Sequence, residues 1–326
     1  MTKTYSEDDG DLDLIRDRTV AIIGYGNQGG AHALNLRDSG VDVIVGQRSG
    51  DSFDRAIDDG FQPLSVTHAA QQADVIMLTL PDETMAEVYD AEVADELAAG
   101  DALGFCHGFN IRFGFIKPPD GVDVFMVSPK GPGRHVRSEF LAGRGLFGLI
   151  AVHQDATGNA HGLALAYAKA IGCLRRAAFD TTFAEETEAD LFGEQVVLCG
   201  GTSALVKAAF DTLVESGCRP EVAYFEVMHE LSLIVDLLMQ DGLTGMRDAI
   251  SNTAEYGDLT RGPRVIDEHA REEMQKILAE IKSGEFADEW IAEHNAGLPN
   301  FRRLAQADES LLLEKIGRKI RQSMDD

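Results

Sequence analysis

The sequence predicts an α/β dinucleotide-binding domain followed by an all-helical domain, and three observations support this prediction. Short apolar strands alternate with helical segments in the first half of the 326-residue chain, which is typical of a doubly wound parallel sheet. A GxGxxG loop follows the first of these strands. Beyond about Thr182 only long amphipathic helical patterns remain. We therefore expect two domains, residues 1–182 and residues 183–326.

The elements of the first domain follow in order along the chain. Short apolar runs bounded by turn residues predict the strands, and apolar residues at helical spacing predict the helices. The predicted helices are QGGAHALNLRDSG, DSFDRAIDDG and MAEVYDAEVADEL. The predicted strands are TVAIIGYG, VDVIVG, a short one near FQPLS, ADVIMLTL, DALGFCHG, VDVFMVSPKGPG and GLFGLIAVHQD.

Composition narrows the class of protein. The net charge of −26, from 55 acidic and 29 basic residues, disfavours nucleic acid and anionic membranes as partners. Four scattered cysteines without a CxxC pair argue against a disulfide framework and suit a reducing cytoplasm. We see no secretory signal in the acidic N-terminus and no apolar run long enough to cross a bilayer. The acidic excess indicates a solubilising surface or a host with high internal salt.

The GxGxxG loop is the first candidate site. Its glycines permit a tight turn and a close approach of the backbone to a pyrophosphate, and the following helix N-terminus supplies N–H donors. The loop lies between a predicted strand and a predicted helix, which favours a functional interpretation. The residues expected to contact a dinucleotide are Gly24, Tyr25, Gly26, Asn27, Gln28 and Gly29.

The end of the second strand predicts which cofactor is bound. Arg48 could stack on adenine or meet a 2′-phosphate, and Ser49 and Ser52 could add hydroxyl donors, which favours NADP. Asp51 argues for NAD, because a carboxylate repels a phosphate but bonds a free ribose hydroxyl. Asp51 could instead cap the helix that begins near Phe53. The sequence leaves these interpretations open.

Two pairs of carboxylates at one-turn spacing form a second candidate site. Asp190 and Glu194 lie in EETEADLFGEQ, and Glu226 and Glu230 lie in YFEVMHELSLIVDLL. Residues four apart on a helix share a face, so each pair presents oxygen ligands side by side. Apolar neighbours suggest that the carboxylates are buried, a cost that Mg²⁺ relieves. No lysine or arginine stands four residues away, so ion pairs within each helix do not explain the pairs.

Further polar residues follow the later strands. Ligands bind outside the carboxyl ends of parallel strands, so these residues are expected near the nicotinamide. For three of them an ordinary structural role is also open: a loop histidine, a solvated lysine and a helix-capping serine. The candidates are Asp82 and Glu83 after ADVIMLTL, His107 after GFC, Lys130 and Gly133 in SPKGPG, and Ser251 in AISNTAEYGD.

Several long motifs in the chain have a specific resemblance. GYGNQG, HGFNI, VDVFMVSPKGPG, EETEADLFGEQVVLCGG and PEVAYFEVMHELSLIVDL together resemble the ketol-acid reductoisomerase (acetohydroxy acid isomeroreductase) family in its short class. The resemblance runs almost end to end. It implies a Rossmann domain and a knotted, all-α C-terminal domain. It also implies alkyl migration in 2-acetolactate or 2-aceto-2-hydroxybutyrate, then reduction by NAD(P)H to 2,3-dihydroxy-3-methyl acids, on the route to valine and isoleucine.

The resemblance also implies roles for particular residues. The helical domain would be completed by pairing, so a homodimer is the minimum active unit. Our own hypothesis for the mechanism is that the two Mg²⁺ ions of the family polarise the substrate, that Glu230 or a metal-bound hydroxide is the base, and that Lys130 organises the surrounding water. Carried over by motif, the metal ligands are Asp190, Glu194, Glu226 and Glu230, the substrate contact is Ser251, and the active-site histidine is His107.

The chain departs from the family pattern near the cofactor. The loop after Arg48 is one residue shorter than its common form, Asp51 replaces a phosphate-binding serine, and Phe53 replaces a tryptophan. NADPH is the cofactor that the family implies, and these departures leave NADH use open. Two other functions compete: a 3-hydroxyacid dehydrogenase that needs no metal, and an NAD(P)-sensing regulator in which the carboxylates are ion-paired structure.

Overall fold

The computed structural model describes residues 3–324, and the chain forms two compact units, Met1–Ala189 and Asp190–Asp326. The first unit contains one eight-stranded sheet with the strand order β1-β8-β7-β6-β5-β4-β2-β3. The strands are β1 (Thr4–Tyr5), β2 (Thr19–Ile23), β3 (Asp42–Gly46), β4 (Val75–Leu78), β5 (Ala102–Phe105), β6 (Asp123–Pro129), β7 (Gly148–Gln154) and β8 (Ala178–Asp180).

The central strands confirm the predicted α/β fold. Strands β3, β2, β4, β5 and β6 are parallel neighbours, and helices cover both faces of the sheet. Alternate residues of β2 therefore enter different cores: Val20 and Ile22 pack in one, and Ala21 and Ile23 in the other. Burial on both faces explains why these strands read as continuous apolar runs.

Two features of the sheet were not predicted. Strand β7 is antiparallel to β6, with Gly148 beside Pro129, and β1 is antiparallel to β8. The connection between β6 and β7 therefore begins and ends at the same end of the sheet. The residue pattern of a strand does not reveal its direction relative to its neighbours. The strand predicted near FQPLS is wrong, because that segment forms only one isolated bridge, between Leu64 and Gly46.

Eight helices pack around the sheet, and a ninth begins beyond it. Helix α2 starts directly at the GxGxxG loop, so its N-terminus faces the carboxyl end of β2. The helices are α1 (Asp13–Arg16), α2 (Asn27–Asp38), α3 (Asp51–Asp58), α4 (Val66–Ala70), α5 (Asp82–Glu92), α6 (Phe109–Arg112), α7 (Gly133–Leu141), α8 (Ala160–Ala170) and α9 (Phe183–Gly193).

Residues 190–324 contain no strand, as predicted. Two π-helical turns interrupt the helices, at Glu194–Leu198 and Phe225–His229. The remaining helices are α10 (Gly200–Glu215), α11 (Pro220–Tyr224), α12 (Glu230–Asp248), α13 (Asn252–Val265), α14 (Glu268–Ser283), α15 (Glu285–Asn295), α16 (Pro299–Glu309) and α17 (Leu312–Met324).

The second unit buries little apolar surface. Phe210, Ala223 and Tyr224 form its small core, where α10, α11 and α17 meet. Many large apolar side chains of this unit are exposed instead, among them Met239 at 81% and Leu198 at 67%. In the described part of the unit, the buried apolar residues are Leu191, Val206, Phe210, Ala223, Tyr224, Met246, Ile281 and Ala287.

One sequence expectation about membranes needs correction. The continuous helical stretch Phe183–Glu215 is long and apolar enough, by length and composition only, to cross a bilayer. The sequence pattern did not suggest this, because acidic residues and the glycines after Cys199 divide its apolar runs. A single such helix is weak support for a membrane span, since helices of soluble proteins meet the same criterion.

Candidate active site

A cleft opens where the chain order of the parallel sheet reverses. From β2 the chain passes to β3 on one side and then to β4 on the other, and such switch points are where open α/β sheets bind ligands. The cleft has a volume of about 480 Å³. Its lining includes Gly24, Tyr25, Gly26, Asn27, Gln28, Arg48, Ser52, Thr79, Pro81 and Thr84.

The glycine loop has the geometry that a dinucleotide requires. Gly24 adopts a φ of 95°, which favours glycine, and a Cβ on Gly29 would lie 2.0 Å from the Gly24 carbonyl oxygen. Gly26 differs from both, because a Cβ there would meet nothing within 4 Å. The protein itself therefore does not demand glycine at Gly26, but a cofactor phosphate approaching the backbone would.

Gly133 contacts the glycine loop and does not itself line the cleft. It begins helix α7, and a Cβ at this position would lie 1.8 Å from the carbonyl oxygen of Asn27. The start of α7 thus packs against the start of α2. Gln28 adds a second link, since its Nε2 donates to the carbonyl oxygen of Gly131 at 3.0 Å.

The cofactor-specificity residues lie around the start of α3. Arg48 and Ser52 line the cleft, whereas Ser49 and Asp51 are exposed and do not appear in its lining. The expectation that Asp51 caps this helix is wrong. Gly50 is the N-cap residue, with a φ of 137°, and Asp51 is the first residue of the helix itself. Its carboxylate therefore stands in the first turn, where negative charge is favoured.

Two residues that the sequence did not single out hold the glycine loop. Gln47 accepts the Tyr25 N–H through Oε1 at 2.8 Å. Thr79, at the end of β4, donates from Oγ1 to the carbonyl oxygen of Gly24 at 2.7 Å. Gln47 stands where an acidic ribose-binding residue is expected for NAD. Its side-chain oxygen instead accepts the hydrogen bond from the glycine loop.

The buried carboxylate of Glu186 forms hydrogen bonds with polar residues at the ends of two strands. Its Oε2 lies 3.0 Å from His107 Nδ1, and its Oε1 accepts from Lys130 Nζ at 2.9 Å and from Ser128 Oγ at 2.8 Å. The Gly108 N–H donates to Oε2 at 3.2 Å. His107 and Lys130, predicted from separate strand ends, are thus brought together. Glu186 was not predicted from the sequence, because its partners lie 56 to 79 positions away along the chain.

The partners of Glu186 determine its charge. Burial alone would raise the pKa of this carboxyl. The hydrogen bond and charge of His107, together with the charge of Lys130, outweigh burial and lower the pKa to about 2. Glu186 is therefore a permanent buried anion at neutral pH. It anchors one cation and one imidazole at the carboxyl edge of the sheet.

The predicted metal ligands Asp190 and Glu194 follow Glu186 at successive four-residue steps. Asp190 lies on α9, one turn after Glu186, and Glu194 begins the first π-helical turn. Asp190 is half-buried and Glu194 is exposed. The expectation that apolar surroundings bury these carboxylates is therefore wrong for Glu194 in the single chain.

The second predicted pair also lies at a π-helical turn. Glu226 belongs to the turn Phe225–His229, and Glu230 follows it as the first residue of α12. Both are exposed, so the expected burial is wrong here too. Among residues 3–324, Glu194, Glu226 and Glu230 belong to no cluster of three or more metal-ligating side chains. Such π-turns occur frequently at functional sites.

The remaining candidates occupy helix starts. Ser251 is the N-cap of α13, and its Oγ accepts the Ala254 N–H at 3.2 Å, which fulfils its structural interpretation. Asp82 and Glu83 form the first turn of α5 at the edge of the cleft. The Asp82 carbonyl oxygen accepts from Asn110 Nδ2 at 3.1 Å.

Comparison with known proteins decides between the candidate functions. Residues 14–177 match the family model described as acetohydroxy acid isomeroreductase, NADPH-binding domain, and residues 183–326 match that of the ketol-acid reductoisomerase C-terminal domain. A ketol-acid reductoisomerase (NADP(+)) of Saccharopolyspora erythraea is 55% identical over 324 residues, covering 99% of this chain and 98% of the relative.

The chain belongs to the ketol-acid reductoisomerase family.

Solved structures agree with this assignment. The NADH-preferring ketol-acid reductoisomerase from an uncultured archaean superposes with a TM-score of 0.96 at 42% identity, covering 98% of both chains. A semialdehyde dehydrogenase NAD-binding protein from Cupriavidus necator shares only the fold, with a TM-score of 0.63 at 19% identity over 82% of this chain and 99% of the other.

Membership of the ketol-acid reductoisomerase family confirms several predictions. The chain is an oxidoreductase with isomerase activity in branched-chain amino-acid biosynthesis, and its first unit is an NADP(H)-binding Rossmann domain. The dehydrogenase and regulator alternatives are thereby excluded. The helical stretch Phe183–Glu215 lies within the residues that match the C-terminal domain model of this family, and it contains the predicted metal ligands Asp190 and Glu194.

Proposed function

We propose that this chain performs the ketol-acid reductoisomerase reaction with two Mg²⁺ ions held by Asp190, Glu194, Glu226 and Glu230. The observation that carries the proposal is the repeated arrangement of these carboxylates, in which each of two π-helical turns contains one carboxylate, Glu194 or Glu226, and the other member of the pair lies four residues away on the adjoining helix. The donor set fits the metal, because Mg²⁺ prefers carboxylate oxygens and four carboxylates can balance two divalent charges. Bound there, Mg²⁺ would polarise the ketone and lower the pKa of the substrate's tertiary hydroxyl.

The chain's own residues would prepare the site for both steps. Glu186 holds the Lys130 ammonium at 2.9 Å and the His107 ring at 3.0 Å. Because Glu186 is a buried anion, the position of both groups is fixed before substrate arrives, as electrostatic preorganisation requires. Glu230 would take the hydroxyl proton, and Ser251 would contact the substrate.

The cofactor would enter the cleft at the switch point and leave its pyrophosphate at Gly26. Arg48 and Ser52 line the cleft on the adenosine side and would bind a 2′-phosphate. Asp51 opposes that phosphate and would accept a hydrogen bond from an unmodified ribose. We therefore propose that the enzyme uses NADPH and also accepts NADH, which is consistent with an NADP(+) relative and an NADH-preferring one.

The apolar faces of the second unit support a homodimer. A groove of about 820 Å³ on this unit is lined largely by apolar residues, including Leu198, Val206 and Met228. A helical unit with so few buried apolar side chains needs a partner to cover its exposed ones. Pairing would also bring the two carboxylate pairs together from different subunits. We propose that the enzyme resides in the cytoplasm. The knot in the helical domain remains a prediction.

The test is the oxidation of NADPH and of NADH by the purified enzyme with 2-acetolactate, each with Mg²⁺ and after EDTA. We expect substrate-dependent oxidation with both cofactors, loss of oxidation with EDTA, and recovery when Mg²⁺ is restored. Formation of the 2,3-dihydroxy-3-methyl acid confirms that migration precedes reduction. Full activity in EDTA would contradict the metal assignment, and oxidation without that product would contradict the reaction.

A further inference from the structure

Arg55 joins the specificity loop to the glycine loop through a single nitrogen. Its Nη2 donates to the carbonyl oxygen of Tyr25 at 3.1 Å and to Ser52 Oγ at 2.7 Å. Tyr25 is fixed at two further atoms, since its N–H donates to Gln47 Oε1 and its hydroxyl to Asp59 Oδ2, both at 2.8 Å. The guanidinium of Arg55 thus links Ser52 to Tyr25, a residue that is also held through its N–H and its hydroxyl.

Arg55 lies outside the cleft, and it contacts a residue, Ser52, that lines the cleft. Ser52 lines the cleft, whereas Arg55 lines a smaller side pocket of about 190 Å³. Both cavities share the wall formed by Tyr25, Gly26 and Asn27. Arg55 therefore approaches Ser52 from behind the cleft, and it would act on a bound cofactor through Ser52.

The hydrogen bond also orients the serine hydroxyl. A hydroxyl has one proton to donate and two lone pairs that accept. Because Ser52 Oγ accepts from the Arg55 guanidinium, its own proton is directed to another acceptor. A ribose 2′-phosphate is a charged acceptor and gains more from such a donor than a neutral hydroxyl does.

We propose that Arg55 is a positioning residue for cofactor discrimination, which holds the Ser52 hydroxyl ready to donate to the 2′-phosphate of NADP(H). The inference rests on the proposed function only in that the cleft takes a nicotinamide dinucleotide. Arg55 favours the phosphorylated cofactor, and its neighbour Asp51 favours the unphosphorylated one. A purely structural Arg55 would affect both cofactors equally.

Binding measurements on the full-length enzyme without substrate or metal test this proposal. NADPH and NADH are titrated separately, and nicotinamide fluorescence gives the Kd of each for the wild type, Arg55→Ala, Ser52→Ala and the double variant. We expect Arg55→Ala to weaken NADPH binding about tenfold, as for loss of one charge-assisted hydrogen bond, and NADH binding about twofold or less. In the Ser52→Ala background, Arg55→Ala should change the Kd ratio little.

Controls and contrary results are well defined. Arg144→Ala removes an exposed arginine paired with Glu139 and away from the cleft, so it should leave both Kd values unchanged. Equal weakening of both cofactors by Arg55→Ala would overturn the proposal, as would additive effects of the two substitutions on the Kd ratio. Because the experiment measures binding and not turnover, the ratio of the two Kd values can be determined even if the enzyme does not catalyse the proposed reaction.

Discussion

At the scale of single residues, Glu186 organises the polar groups at the carboxyl edge of the sheet. Four donors converge on this one carboxylate: His107, Gly108, Ser128 and Lys130. A buried anion is tolerable only when such partners compensate its desolvation. Removing the Glu186 carboxylate should lower the stability of the protein, because the Lys130 ammonium then loses one of its partners.

The lowered pKa of Glu186 predicts a pH-dependent contribution to stability. The folded-state pKa of about 2 lies below the ordinary value of 4.5, so this contribution is present above pH 4.5 and is lost as the pH falls toward 2. Replacing the carboxylate by an amide removes the linkage. We expect the stability difference between the wild type and Glu186→Gln to shrink by roughly 2 kcal/mol between pH 5 and pH 3.

Urea unfolding at several pH values measures this difference. Glu185→Gln is the matched control, since it removes an exposed carboxylate of the same helix. It should change the free energy of unfolding by less than about 0.5 kcal/mol throughout. A pH-independent difference for Glu186→Gln would show that the carboxyl titrates normally in the folded protein.

Asp51 is expected to set the balance between the two cofactors. Asp51 is the exposed first residue of α3 and directly precedes Ser52, which lines the cleft. Asp51→Ser removes a charge that repels a 2′-phosphate, worth about 1 kcal/mol near the surface. We expect the ratio of kcat/KM for NADPH over NADH to rise about fivefold.

Asp54→Ser serves as the control for Asp51→Ser, because it removes the same charge from another exposed position in the first turn of α3. It should leave the ratio of kcat/KM near the wild-type value. If the two variants shift the ratio equally, the effect belongs to the net charge of the helix and Asp51 does not read the ribose.

The sequence could predict some of these residues and not others. The glycine loop has a local signature, and its geometry around Gly24 and Gly26 fits the expected roles. Glu186 has no local signature. Its partners come from the ends of β5 and β6, 56 to 79 positions away, so only the assembled sheet reveals them. The burial expected of Glu194, Glu226 and Glu230 required a covering surface that one chain does not supply.

At the scale of elements, the π-helical turns are the main departure from a simple helical prediction. In the first turn, the Cys199 N–H donates to the Glu194 carbonyl oxygen, five residues earlier. The two glycines that follow permit this. A Cβ on Gly200 or Gly201 would lie 2.2 or 1.9 Å from a carbonyl oxygen five residues earlier. The GG dipeptide therefore allows the turn that orients Glu194.

Gly200→Ala should disturb this turn and the proposed metal site beside it. The added methyl cannot coexist with the Gln195 carbonyl oxygen, so the turn must tighten or shift, at a cost of about 2 kcal/mol for overpacking. We expect a lower Tm and a smaller rise in Tm on adding Mg²⁺, whereas NADPH binding should be retained.

Differential scanning calorimetry with and without Mg²⁺ measures both effects. Gly262→Ala is the control, because its Cβ would approach nothing closer than 3.8 Å within α13. It should leave the Mg²⁺-dependent shift intact. A Gly200→Ala variant with a wild-type shift would show that the π-turn does not position Glu194.

Strand direction marks another limit of sequence analysis at this scale. The parallel core follows from strands that alternate with helices, because each crossover helix returns the chain to the same end of the sheet. The β6–β7 connection also contains a helix, α7, yet these strands are antiparallel. Helix α7 packs against α2 instead of crossing the sheet. The residue patterns of β6 and β7 do not predict this packing.

At the scale of the whole molecule, the second unit leaves much of its apolar surface uncovered in the single chain. Its carboxylate pairs are exposed in three of four members, and large apolar residues such as Met239 and Leu243 stand in solvent. The same partner surface would cover the apolar residues and complete the proposed metal site. A symmetric dimer would supply such a surface twice, with each chain lending one carboxylate pair to its partner.

Mixing two inactive variants tests whether the sites are shared between subunits. Glu194→Gln damages the first pair and Glu226→Gln the second, so each homodimer should be inactive. In a mixed dimer, one site receives both damaged residues and the other receives neither. Random pairing makes half of the dimers mixed, so coexpression in equal amounts should restore about a quarter of wild-type activity.

The alternative arrangement gives a different result in the same experiment. If each site used both pairs of one chain, every site in the mixture would contain one damaged ligand, and activity would not return. Coexpressing Glu194→Gln with Asp190→Asn is the matched control, because both substitutions lie in the same pair and no mixed dimer then has an intact site. Recovery in the first mixture and none in the control would establish that the metal ligands come from two chains, and the exposure of these carboxylates in one chain would then be a direct consequence of the assembly.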